Sequence, residues 1–169
     1  MIAAKVTSLA LDAATKSPVV VLAPTDSEEH ANRVLPIWIG HSEAWVIAME
    51  LANLSAARPM THDLLRSALQ TFEAKVTRVD ITELKDQTFY AMITITQNGS
   101  FYQIDARPSD SIAMALKFDA PIYVAEDLFH LDESDRKEEA ERMNLTNDPE
   151  SLRERLRKIN PEDFGNYSL

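Results

Sequence analysis

The sharpest hydrophobic alternation in the chain runs through Phe89, Ala91, Ile93 and Ile95, with Tyr90, Met92, Thr94 and Thr96 between them. Side chains on a strand point to opposite faces in turn, so this pattern predicts a strand with one buried face. Asn98–Gly99 follows, a pair that tolerates positive φ at both positions and predicts a short hairpin turn. Phe101–Asp105 then reads as the returning strand. Lys75–Leu84, closed by a turn at Lys85–Gln87, reads as the strand before.

The first half shows the same grammar. Ile2–Leu11 reads as a strand, Asp12–Ser17 as a turn, and Val19–Leu22 is an unbroken apolar run of the kind a buried strand shows. Pro24–Asn32 is a polar loop, and Arg33–Ile39 a third strand in which Pro36 predicts an edge or a bulge. After Gly40 the period changes. Ala44, Ile47, Ala48 and Leu51 recur at helical spacing, with Ser42 placed as the N-cap and Glu43 in the first turn. Ala57–Pro59 ends that helix. Thr61 is predicted to cap a second one, with Leu64, Leu65, Ala68, Leu69 and Phe72 on one face. Pro108 ends the last long strand, and Ser109 is predicted to cap a third helix bearing Ile112, Ala115 and Leu116. Asp119–Pro121 stops it before a final strand that ends at Val124.

Each half thus reads as three strands and then a capped helix, and Ile47–Leu51 (IAMEL) matches Ile112–Leu116 (IAMAL). The expected fold is an α+β domain with a largely antiparallel, mixed sheet, helices packed on it and a duplicated βββα unit. Chance likeness between two alanine-rich helices is the competing account of the repeat. This domain is expected to span residues 1–130, with residues 131–169 forming an acidic segment and a short C-terminal helix. That helix, Asp148–Ile159, carries Leu152, Leu156 and Ile159 as an apolar stripe for docking, with Phe164 and Tyr167 available beyond it.

Composition narrows the function. There is no cysteine, which excludes disulfides, thiolate nucleophiles and cysteine metal sites. With three glycines and no Walker loop, dinucleotide fingerprint, HExxH or GxSxG, no organic cofactor is expected. The net charge is −10, and the body of the chain has no run of Lys or Arg of the kind that non-specific duplex binders carry. The N-terminal apolar run alternates and includes Asp12, so it is not read as a signal peptide, and no apolar run approaches the ~20 residues of a membrane span. A cytoplasmic protein with no membrane partner is the expectation.

The polar residues that stand out gather at three helix entrances: Glu43; Arg58, Thr61, His62 and Asp63; and Asp105, Arg107, Ser109 and Asp110. Each has a structural reading. Glu43 and Asp110 suit the positive end of a helix dipole, at ~0.3–1 kcal/mol each, and Thr61 and Ser109 suit caps. Arg107 or Arg58 could pair with Asp105 or Asp63 to hold two corners together. His62 is the least explained by capping. Trp38 and Trp45 read as core or subunit contact.

Three stretches, LPIWIGHSEAWVIAMEL, RPMTHDLL and DARPSDSIAMALKFDAPIYV, together resemble the bifunctional nuclease domain family over about residues 1–130. The closing PEDFGNY is similar to endings seen there as well. Members of that family are α+β proteins, and some plant and bacterial members act on both DNA and RNA. The resemblance implies phosphodiester hydrolysis of a nucleic acid with Mg²⁺ or Mn²⁺. Under it, Glu43, Asp63, Asp105 and Asp110 are the expected metal-binding carboxylates, hard ions preferring oxygen. His62 is the expected base or a ligand. Arg107 and Arg58 are expected to hold phosphate, with Thr61 and Ser109 adding hydrogen bonds. A homodimer is expected. The alternatives are a non-catalytic protein- or anion-binding module, or a structural oligomer whose corner charges serve assembly.

Overall fold

The computed structural model describes residues 1–25 and 33–129. The expected acidic segment, the C-terminal helix and most of the Pro24–Asn32 loop lie outside them. The chain runs β1 (Ile2–Leu11), β2 (Pro18–Pro24), β3 (Leu35–Trp38), α1 (His41–Leu51), α2 (Thr61–Thr71), β4 (Ala74–Lys85), β5 (Thr88–Gln97), β6 (Ser100–Ala106), α3 (Pro108–Phe118) and β7 (Ile122–Val124), with a short 3₁₀ turn at Glu126–Leu128.

The fold is α+β. Seven strands form one sheet in the order β3-β2-β1-β7-β4-β5-β6. Each half contributes a three-stranded antiparallel meander followed by a helix, which is the expected βββα arrangement. β7 joins the two, antiparallel to β1 and parallel to β4. Pro36 sits on β3, an edge strand, where its missing N–H removes nothing from a central ladder.

The three helices pack on one face of the sheet. Val20, Leu22 and Ile37 from the first meander meet Val79, Ile81 and Ile93 from the second, and Ile47, Ile112 and Met114 close the core from above. Val19 and Val21 belong to a separate small cluster with Ala10, so β2 is covered on both faces, as its unbroken apolar run implies. Trp45 packs beside Ala48 and Ala52. Trp38 is half exposed, its Nε1–H donating to Asp12 Oδ2 at 3.3 Å.

Two expectations change. The helix caps fall earlier than Ser42, Thr61 and Ser109, at Gly40, Met60 and Arg107, and none of these makes a side-chain cap hydrogen bond. At α3 the reason is Pro108. A residue before proline is pushed out of the helical region, so Arg107 stays extended (φ −65°, ψ 145°) and Pro108 opens the helix. The other change is α2. Its apolar face is not buried in the core: Leu64 is 65% exposed and Phe72 68%. Leu65 and Leu69 line an open cleft instead.

Candidate functional site

Three helix starts meet at one end of that cleft. Glu43 lies in the first turn of α1, His62 in the first turn of α2, and Arg107 and Asp110 at the cap and first turn of α3. Arg107 ties two of these together. Its Nε donates to Asp110 Oδ2 at 2.7 Å and its Nη2 to Asp110 Oδ1 at 3.1 Å, a bidentate pair. The same Nη2 donates to Glu43 Oε1 at 2.8 Å. His62 joins from α2, its Nε2 lying 3.0 Å from Asp110 Oδ1.

The electrostatics follow from these contacts. Burial pushes the Asp110 carboxyl up, but the Arg107 guanidinium and His62 more than offset it, and the group titrates below the usual carboxylate range. Glu43 is also lowered: burial opposes, while its own backbone N–H, the Ser42 hydroxyl and Arg107 win. Arg107 is raised by Asp110 first and Glu43 second. An ionised Asp110 has no proton to give, so the 3.0 Å contact requires Nε2–H on His62. A neutral His62 therefore carries its lone pair on Nδ1.

The cleft has a volume of about 690 Å³. Its floor is apolar, with Val76, Ile93, Ile95 and Leu69, and its polar groups are confined to the mouth. Gly40 helps set that mouth: a Cβ there would overlap Glu43 Oε2, so the glycine lets the carboxylate fold back over the start of α1.

The other expected residues are distributed as follows. Asp105 stands exposed at the end of β6 on the cleft rim, with no ion pair or hydrogen bond among the described residues. Thr61 lines the cleft as the first residue of α2. Ser109 is buried in the first turn of α3 and does not line the cleft. Arg58 is exposed in the loop between α1 and α2, away from the cleft. Asp63 faces the other side of α2. Its Oδ2 accepts from the Met60 N–H at 2.9 Å, and its Oδ1 pairs with Lys117.

Lys117 was not anticipated from the sequence, although it lies four residues after the fully buried Ala113, on the inward face of α3. Its side chain is 3% exposed, and it also donates to Glu50 Oε1 at 2.6 Å. Burial lowers its pKa, but Asp63 and Glu50 outweigh this and hold the ammonium charged. The expected four carboxylates are thus divided between two sides of α2. Among the described residues no group of three or more His, Asp or Glu converges to cage an ion. Glu43 and Asp110 do converge, on Arg107.

A sequence-family model described as the bifunctional nuclease domain matches residues 20–137. An uncharacterized protein of Mycobacterium tuberculosis is 37% identical over 166 residues, covering 95% of this chain and 96% of that protein. Bifunctional nuclease 1 of Oryza sativa is 24% identical over 100 residues, which is 57% of this chain and 30% of that protein. Bifunctional nuclease of Oryza minuta matches to the same extent.

Proposed function

This chain belongs to the bifunctional nuclease domain family, and on that premise we propose that the cleft mouth hydrolyses phosphodiester bonds in DNA, RNA or both. The observation that supports this is the Glu43–Arg107–Asp110–His62 chain of contacts. It offers a cation for the phosphate and an oriented base for the water.

Arg107 is 66% exposed, and its Nη1 has no partner among the described residues, so it can reach a phosphate oxygen while its other nitrogens stay on the carboxylates. His62 Nδ1 takes the proton of the attacking water. Asp110 fixes the ring and stabilises the imidazolium that forms, as a carboxylate does for a catalytic histidine elsewhere. Oxygen bonds to phosphorus, the bond to one sugar oxygen breaks, and that oxygen takes its proton from the imidazolium or from solvent. Glu43 and Asp110 are the carboxylates that would hold Mg²⁺ or Mn²⁺ together with substrate phosphate, and to do so they would have to share oxygens that here accept from Arg107, Ser42 and His62. When bound, such an ion supplies charge neutralisation at a non-bridging oxygen.

The test is cleavage of labelled single-stranded DNA and RNA with Mg²⁺ or Mn²⁺, comparing wild type with His62→Gln and Asp110→Asn. Chelator-sensitive cleavage is expected, falling by about 10²–10⁴-fold in either variant, with each variant checked for cooperative unfolding. Equal cleavage by wild type and folded His62→Gln would remove His62 as the base.

The apolar floor of the cleft favours a second reading, a non-catalytic module that takes an apolar protein segment there. Saturable peptide binding with no turnover under any metal would select it.

A further inference from the structure

We propose that a second copy of this chain pairs with the β6 edge, joining the two sheets through an antiparallel β6–β6 ladder and closing the open side of each cleft. This does not rest on the nuclease reading.

The two edges of the sheet differ in kind. β3 is four residues long and carries Pro36. β6 is seven residues long, has no proline, and leaves Phe101 74%, Tyr102 50% and Ile104 49% exposed. Among the described residues nothing pairs with the outer side of β6, and an uncovered edge is a template for another strand, which proteins blunt with short strands, proline, charge or a covering element. β6 carries one charge, Asp105, at its far end.

The register follows from the hairpin. Asn98 (φ 48°) and Gly99 (φ 78°) form a two-residue turn of the I′ kind, which makes Gln97 and Ser100 the first hydrogen-bonded pair with β5. Alternation then leaves the N–H and C=O of Phe101, Gln103 and Asp105 pointing away from β5. A two-fold centred on Gln103 uses all three: Gln103 meets the partner's Gln103, and Phe101 meets the partner's Asp105. Shifting the centre to Tyr102 or Ile104 strands one of them.

The same register places Tyr102 opposite the partner's Ile104 on the cleft face, within about 4.5–5.5 Å between Cβ atoms. Like charges do not meet. This register makes the edge complementary to a second copy of itself, with all three outward-facing residues paired. The net charge of −10 opposes self-association over most of the surface, and β6, with its single charge, adds little to that opposition. Ile104 lines the cleft, so the partner's Tyr102 beside it would extend the cleft wall.

Because the chain has no cysteine, a single Gln103→Cys variant reports on the two-fold directly. Hydrogen-bonded antiparallel pairs hold their Cα atoms about 5.5 Å apart, within the ~4.4–6.8 Å range of a disulfide. Under mild oxidation Gln103→Cys is expected to cross-link as a dimer, while Trp38→Cys, exposed at the opposite edge, stays single. Sedimentation should give wild type at twice the chain mass and Gln103→Pro at one chain mass. The β5–β6 ladder survives that proline because the Gln103 N–H faces outward. A single-chain wild type across the micromolar range would overturn the proposal. So would equal cross-linking at positions 38 and 103, or a folded Gln103→Pro that remains dimeric. Should Gln103→Pro fail to fold, the cross-linking comparison decides.

Discussion

Arg107 owes its position to its neighbour. Pro108 holds it extended, and that conformation points its side chain across the helix start toward Glu43 and Asp110. Glu43, His62, Arg107 and Asp110 are legible as titratable residues at helix entrances, but position alone does not separate them from Asp63, which pairs with Lys117, or from Arg58, which does not line the cleft. The role of Asp63 was not legible, because its partner Lys117 lies 54 residues away and no local spacing announces the pair. Gly40 is legible as the break before α1 but its role beside Glu43 is not, since its backbone is ordinary (φ −73°) and only the folded-back Glu43 carboxylate makes its missing Cβ matter. Gly40→Ala should therefore push Glu43 off Arg107. Losing one charge-assisted hydrogen bond of about 1.5 kcal/mol at the site predicts roughly a tenfold fall in cleavage. The stability cost should stay below about 1 kcal/mol, because Gly40 makes no side-chain cap bond for alanine to lose. Cleavage rates and a urea titration of the same preparation would separate the two effects. A variant as active as wild type would show that Glu43 needs no fixed position.

At the scale of elements, Lys117 clamps all three helices, drawing Glu50 of α1 and Asp63 of α2 onto α3. Removing one partner of a buried ion pair costs ~3–5 kcal/mol. Glu50 and Asp63 keep 25% and 33% of their side-chain exposure, so water would relieve part of the loss. Lys117→Met is expected to cost about 2–3 kcal/mol by chemical denaturation. It should also reduce cleavage, because the α2 turn it anchors carries His62 next to Asp63. A change below about 0.5 kcal/mol, the range of ordinary surface substitutions, would mean the clamp is dispensable. Strand and helix locations followed from hydrophobic period, apolar runs and the glycine and proline breaks between them. The first turns did not, because proline geometry at α3 outranks the capping preference of Ser109. The apolar stripe of α2 was legible too, but a stripe does not say whether it meets core or cleft.

For the whole molecule, the least legible feature was the joint. The two meanders could be read from the sequence, but not that a three-residue strand, β7, would be laid between β1 and β4. Charge was legible, and it yields two expectations for the intact protein. Glu43, Asp63 and Asp110 all titrate below their ordinary values of 4.5, 3.8 and 3.8. Carboxylates lowered by folding stabilise the native state above those ordinary values and lose that contribution as pH falls through the lower native ones. The urea midpoint should therefore hold steady down to about pH 5 and then decline. Nucleic-acid affinity carries the other expectation. Each neutralised phosphate adds about −0.7 to the slope of log K against log salt for a single strand. With Arg107 the sole cation among the cleft-lining residues and a chain of net charge −10, a single-stranded oligonucleotide should bind with a slope of only about −1. Fluorescence anisotropy across a potassium chloride series, with a cleavage-deficient Asp110→Asn variant, measures it. A slope as steep as that of a protein making roughly 6–10 phosphate contacts would place nucleic acid on a surface other than the cleft.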